Sequence, residues 1–125
     1  MKRILLAEDE EILRMLINDT LEDEDYQVDE AADGQEALGF LEQQQYELLI
    51  IDYMMPIYSG VEVIAKVRQS GKNMNVPILM LSAKSQLTEQ EKAMAAGADY
   101  FMAKPFSPLD LLGKVREILH DKNTI

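Results

Sequence analysis

Three short runs of this chain are apolar almost without a break: RILLA at residues 3–7, LLIID at 48–52 and VPILMLS at 76–82. A strand with one face in water alternates apolar and polar residues, so a run without a polar face must be covered on both sides. That is the mark of a central strand in a parallel sheet. Two further segments, YQVDEA at 26–31 and DYFMA at 99–103, read as strands of more mixed character. Helical periodicity fills the intervals. Ile12, Leu13, Leu16, Ile17 and Leu21 form one stripe, and Leu111, Leu112, Val115, Ile118 and Leu119 another, both expected to face a core.

Boundary residues fall where these helices should begin. Asp33-Gly34 opens the second, Ser59-Gly60 the third, Thr88 with Glu91 forms a capping box for the fourth, and Ser107-Pro108 starts the fifth. Residues 73–75 read as a polar connection, and HDKNTI as a charged tail. The unit is a strand followed by a helix, five times over. The expected fold is therefore α/β, a doubly wound five-stranded parallel sheet with right-handed crossovers and five flanking helices. A chain of 125 residues suffices for one such domain, expected to span 1–125.

The composition narrows the function. Twelve Lys and Arg against 23 Asp and Glu leave a net charge of −11, which repels phosphate backbones and anionic lipid and argues against direct binding of nucleic acid or membrane. Without cysteine there is no disulfide, thiol nucleophile or thiolate metal site. No segment approaches the ~18 apolar residues of a membrane span, and acids interrupt the N-terminal apolar stretch too early for a signal peptide. A cytoplasmic protein is expected.

In open α/β sheets ligands sit beyond the carboxyl ends of the strands. Those ends here carry Glu8 and Asp9, Asp52, Ser82 and Lys104. Carboxylates sharing a small volume raise one another's pKa unless a cation is present, and Mg²⁺ is a hard ion that binds through one or two carboxylates with a phosphate and waters completing its shell. Asp9 and Asp52 are candidates for direct ligands. A carboxylate can also attack phosphorus to form an aspartyl phosphate, and phosphoryl transfer needs chiefly alignment and charge neutralisation, which a metal, a lysine and a hydroxyl together supply.

Across nearly the whole chain, AEDE at 7–10, IIDYMMP at 50–56 with Gly60 four residues beyond the proline, LSAK at 81–84 and GADYFMAKPF at 97–106 resemble the receiver domain of bacterial two-component response regulators. The resemblance implies a flavodoxin-like strand order of 2-1-3-4-5. It implies Asp52 as phosphoacceptor, Asp9 as Mg²⁺ ligand, Glu8 as ligand through water and Met54 as ligand through its backbone carbonyl. Ser82 would donate its hydroxyl to a phosphoryl oxygen, Lys104 would pair with the phosphoryl group, and the Lys104–Pro105 bond would be cis. Ser82 and Phe101 would form the switch that alters the face built from the fourth helix, fifth strand and fifth helix. Many relatives carry tyrosine at Phe101, and a phenyl ring can change rotamer but cannot make a hydroxyl's hydrogen bond. Tyr100 should point to the opposite face. Lys84 and the Met54 side chain would border the site, while Tyr53 and Met55 read as core.

The implied partners are a histidine kinase or histidine phosphotransfer protein as phosphoryl donor and an output domain or target protein. The module would be a switch and not an enzyme beyond the handling of its own phosphoryl group. A haloacid-dehalogenase-type phosphatase would need an acid two positions beyond the nucleophile, where Met54 stands. A nucleotide or flavin binder would need a glycine-rich turn after the first strand, where acids stand instead. A receiver-like docking scaffold without phosphorylation is the remaining alternative. Mixed charge on the last two helices, including Lys92, Asp110, Lys114 and Arg116, reads as a solvated face, and His120, the single histidine, as surface decoration at a helix end.

Overall fold

The structure is a computed structural model that describes residues 2–83 and 87–120, the side chains of residues 87–89 excepted. The strands β1 (Arg3–Ala7), β2 (Gln27–Ala31), β3 (Leu48–Asp52), β4 (Ile78–Ser82) and β5 (Tyr100–Ala103) alternate with α1 (Glu11–Glu22), α2 (Gly34–Gln43), α3 (Gly60–Val67), α4 (Leu87–Ala96) and α5 (Pro108–His120). All neighbouring strands pair in parallel, in the order β2-β1-β3-β4-β5. The expected α/β architecture is the one observed.

The three continuous apolar runs are the three central strands, and every residue of β3 and β4 is buried. One face carries Leu5, Leu49, Ile51, Ile78 and Met80 against α2, α3 and α4, and the other carries Ile4, Leu6, Ile50, Leu79 and Leu81 against α1 and α5. Each fully buried Leu or Ile contributes about 1.5–3 kcal/mol, so covering both faces is the main cohesive term. The mixed segments are the two edges. β2 exposes Gln27 and Glu30, and β5 is half-buried throughout, as expected where one side of a strand has no partner.

Local signals hold the helices in place. Asp33 accepts from the Glu36 amide at 2.8 Å, and Ser59 with Glu62 forms a reciprocal capping box at α3. Ser107 accepts from the Asp110 amide at 3.1 Å, with Pro108 at the first helical position. Helix α4 already begins at Leu87, so Thr88 stands within the helix and not before it; its side chain lies outside the described residues.

One expectation needs correction and two gain detail. Ile12 and Leu16 are 81% and 47% exposed, because α1 seats only the line of Leu13, Ile17 and Leu21 and turns the neighbouring line outward. The polar connection at 73–75 is there, but Asn73 within it is buried: its amide donates to the carbonyls of Leu41 and Gln44, and its oxygen accepts from the Tyr46 amide. It thereby satisfies carbonyls that the end of α2 leaves without helical partners. His120 is exposed, yet its Nε2 lies 2.8 Å from the Tyr26 hydroxyl and ties the last turn of α5 to the start of β2, at the end of the sheet opposite the strands' carboxyl ends.

Candidate functional site

Because Ala7 pairs with Ile51, Glu8 and Asp52 leave adjacent strands at the same level. Glu8 is fully buried, Asp52 is 6% exposed and Asp9 faces solvent. One oxygen from each of the three lies within 4.8 Å of the others. Lys104, brought in by the turn after β5, donates to Glu8 Oε1 at 2.8 Å, and its Nζ is 3.2 Å from Asp52 Oδ1. The other oxygen of Glu8 accepts from the Glu10 amide at 3.1 Å. The Lys104 amide donates to the Ser82 carbonyl at 2.7 Å, and the Lys104–Pro105 bond is cis.

The electrostatics follow from burial and crowding. Burial and then the Glu8 charge push the Asp52 carboxyl up to about 7, Lys104 offsetting part of this and Asp9 adding to it. Lys104 is held above its ordinary value: burial opposes its charge, and the Glu8 hydrogen bond with the charges of Asp52 and Glu8 more than compensates. Two buried acids therefore share one ammonium. This donor set suits a small hard cation. Octahedral Mg²⁺ at about 2.0–2.1 Å from each oxygen sets neighbouring ligand atoms about 3 Å apart and opposite ones about 4 Å, inside the 4.8 Å that bounds the three carboxylate oxygens.

Ser82 closes β4 and is buried, one residue past Leu81, the partner of Asp52. Met80 pairs with Phe101 and Ser82 with Ala103, so Ser82 and Phe101 lie on one face of the sheet, diagonal neighbours on adjacent strands. Phe101 is half-buried against the α2–α4 side. Tyr100 faces the other side, with the Lys114 ammonium 5.5 Å from its ring centroid. Tyr53 and Met55 pack against the core, while the Met54 side chain is 68% exposed. Lys84 lies outside the described residues.

Three features of the site were not legible in the sequence. Gly60 lets α3 approach the back of Asp52: a Cβ there would lie 2.3 Å from the Asp52 carbonyl oxygen. Ile57, 62% exposed in the loop after Asp52, has a φ of 73°, a conformation that costs a β-branched residue on the order of 1–3 kcal/mol. Arg14 reaches from α1 to the Glu8 carbonyl at 2.8 Å and to Glu30 at 3.2 Å. Its only trace in the sequence is a charge set beside the inward residues Leu13 and Ile17.

With this geometry in view, comparison with known proteins is specific. The response regulator receiver domain family matches residues 4–116. The phosphate regulon transcriptional regulatory protein PhoB of Rhizobium meliloti is 38% identical over 117 residues, covering 94% of this chain and 52% of that protein. The alkaline phosphatase synthesis transcriptional regulatory protein PhoP of Bacillus subtilis is 39% identical over 118 residues, covering 94% and 48%. The chain thus spans about half the length of these curated relatives. Among solved structures, the chemotaxis response regulator CheY4 of Vibrio cholerae superposes with a TM-score of 0.90 at 33% identity, covering 95% of this chain and 99% of that one. TrrA of Thermotoga maritima, in complex with Mg(2+)-BeF, superposes with a TM-score of 0.83 at 36% identity, covering 95% and 100%. Shared sequence over almost the whole length, a shared fold and an acidic cluster at the carboxyl edge of the sheet agree: this chain belongs to the response regulator receiver domain family of two-component systems.

Proposed function

We propose that this domain is a phosphorylation-controlled signalling switch in which Asp52 takes a phosphoryl group from a phosphohistidine of a histidine kinase or histidine phosphotransfer protein. The observation that carries the reading is the set of three carboxylates within 4.8 Å of one another, flanked by the Lys104 ammonium. In its ionised form an Asp52 oxygen attacks phosphorus, forming a P–O bond as the P–N bond to the donor imidazole breaks and the ring nitrogen leaves with the electron pair. Lys104, whose Nζ lies 3.2 Å from Asp52 Oδ1, would shift toward an equatorial phosphoryl oxygen, and the Ser82 hydroxyl would donate to another. Asp9 and Asp52 directly, Glu8 through water and the Met54 carbonyl would hold Mg²⁺, which when bound supplies neutralising charge to the phosphoryl oxygens.

Two further observations support the wider reading. TrrA binds Mg²⁺ with a beryllofluoride group on the same fold. The exposed residues Ile12, Met15 and Leu16 on α1, the helix that follows Glu8 and Asp9, form an apolar strip beside the site and fit a protein as donor better than a small metabolite. The output is a domain or target protein that reads the α4–β5–α5 face. The acidic surface disfavours direct contact with nucleic acid or membrane, and among the described residues no helix is long and apolar enough to cross a membrane, in keeping with action in the cytoplasm.

The test is intact mass after incubation with acetyl phosphate and Mg²⁺. One phosphoryl group should be gained by the wild type, none by Asp52→Asn, and little in excess chelator. Uptake undiminished in Asp52→Asn would sink the assignment. No uptake from either acetyl phosphate or a panel of phosphorylated donors would favour a docking scaffold.

A further inference from the structure

The acidic segment Glu8–Glu10 joins β1 to α1, and α1 lacks the usual lock at such a junction: Glu10 stands at its N-cap and makes no side-chain cap bond. Besides the Lys104 ammonium on the Glu8 carboxylate and the first helical bond, from the Arg14 amide to the Glu10 carbonyl, three hydrogen bonds hold the segment. The Glu8 amide donates to the Ala31 carbonyl at 3.0 Å, the Glu10 amide donates to the Glu8 carboxylate, and Arg14 Nη1 donates to the Glu8 carbonyl at 2.8 Å. The last is the only one of the three that a side chain contributes as donor.

That carbonyl belongs to the peptide plane linking Glu8 to Asp9. A planar peptide with its oxygen pinned has its far end pinned too, and the far end here carries the Asp9 Cα. Arg14 reaches the carbonyl because side chains on a helix lean toward its N-terminus, and its guanidinium is braced by Glu30 of β2 through Nε at 3.2 Å. The side chain is 16% exposed, so it is packed in this pose. Arg14 meets Glu8 at its backbone carbonyl, so its hold on the acids runs through backbone geometry.

We propose that Arg14 is a positioning residue of the divalent-cation site: by fixing the Glu8–Asp9 peptide plane it aims the Asp9 carboxylate at the point where the Asp52 carboxylate also reaches. The inference rests on the proposed Mg²⁺ site and deepens it, since it places part of the site's affinity in a residue that touches neither metal nor phosphoryl group. Groups that orient metal ligands typically cost 10–100-fold in affinity when removed. Glu30, one step further out, should matter less.

The experiment is a Mg²⁺ titration of the intact domain followed by backbone amide shifts, with unfolding midpoints in chelator recorded alongside. Arg14→Gln should raise the Mg²⁺ Kd by roughly tenfold or more. Arg14→Lys, a single point donor without the fork, should fall between it and wild type, and Glu30→Gln should weaken binding only severalfold. Arg3→Gln is the structural control: Arg3 makes a similar ion pair with Asp29 at the opposite end of β1 and β2, so its loss should lower the unfolding midpoint without moving the Kd. A Kd for Arg14→Gln within twofold of wild type, or an equal rise in Arg3→Gln, would overturn the positioning role while leaving the metal site standing. Absence of any Mg²⁺ response in the wild type would overturn both.

Discussion

Asp52 is an acid whose surroundings oppose its ionisation, and this fixes how stability must depend on pH. Its carboxyl rises from 3.8 in the unfolded chain to about 7 in the fold, so between those values the folded state binds the proton more tightly. Stability contributed by this group is therefore present in full below about pH 4, declines as pH rises through the window, and is lost above about pH 7. Asp52→Asn removes the ionisation. In chelator the variant should exceed wild type by up to about 4 kcal/mol at pH 8, at about 1.4 kcal/mol per unit, and the gap should close by pH 4. Urea unfolding at pH 4, 6 and 8 measures it. A gap independent of pH would mean that Asp52 is ionised in the fold across the whole range. The acids themselves were legible in the sequence as strand-end residues. Their mutual distance was not, because it depends on which strands lie side by side.

At the scale of elements, α3 shows how a helix start can serve a site on a neighbouring strand. Its capping box was readable from Ser59 and Glu62, but the need for Gly60 comes from the 2.3 Å that would separate a Cβ from the Asp52 carbonyl. Gly60→Ala must push α3 away or displace Asp52, which should cost about 2–3 kcal/mol, as overpacking generally does, and slow phosphoryl uptake from a small donor. Gly113→Ala is the contrasting case. Nothing lies within 4 Å of a Cβ there, in the interior of α5, so the change should stabilise by about 0.5–1 kcal/mol. Denaturant midpoints for the two variants should move in opposite directions. Helix α1 makes the complementary point: its period was legible, but five apolar residues in one stripe do not reveal that only Leu13, Ile17 and Leu21 meet the sheet side.

At the scale of the whole molecule, the sheet divides the domain into two cores, and Ser82 and Phe101 share the α2–α4 side while Tyr100 belongs to the other. If Ser82 moves toward a phosphoryl oxygen, the half-buried Phe101 ring stands on the same face to follow it. Phe101→Ala should leave beryllofluoride binding at Asp52 intact while shrinking the accompanying amide shifts in α4 and β5, whereas Ser82→Ala should weaken both. A full wild-type pattern of shifts in Phe101→Ala would make the ring core filler. Local sequence determined much of this protein: short unbroken apolar runs bounded by turn residues read as strands covered on both faces, caps and prolines mark helix starts, and five β–α units leave few topologies. The family resemblance implied the strand order, and strand-end placement gathered Glu8, Asp9, Asp52 and Lys104, but the distances among those groups, the outward turn of Ile12, the buried clasp of Asn73 and the reach of Arg14 to the Glu8 carbonyl were decided only by tertiary structure. Periodicity and capping report interactions a few residues apart along the chain, whereas each of these depends on groups from different elements meeting in space.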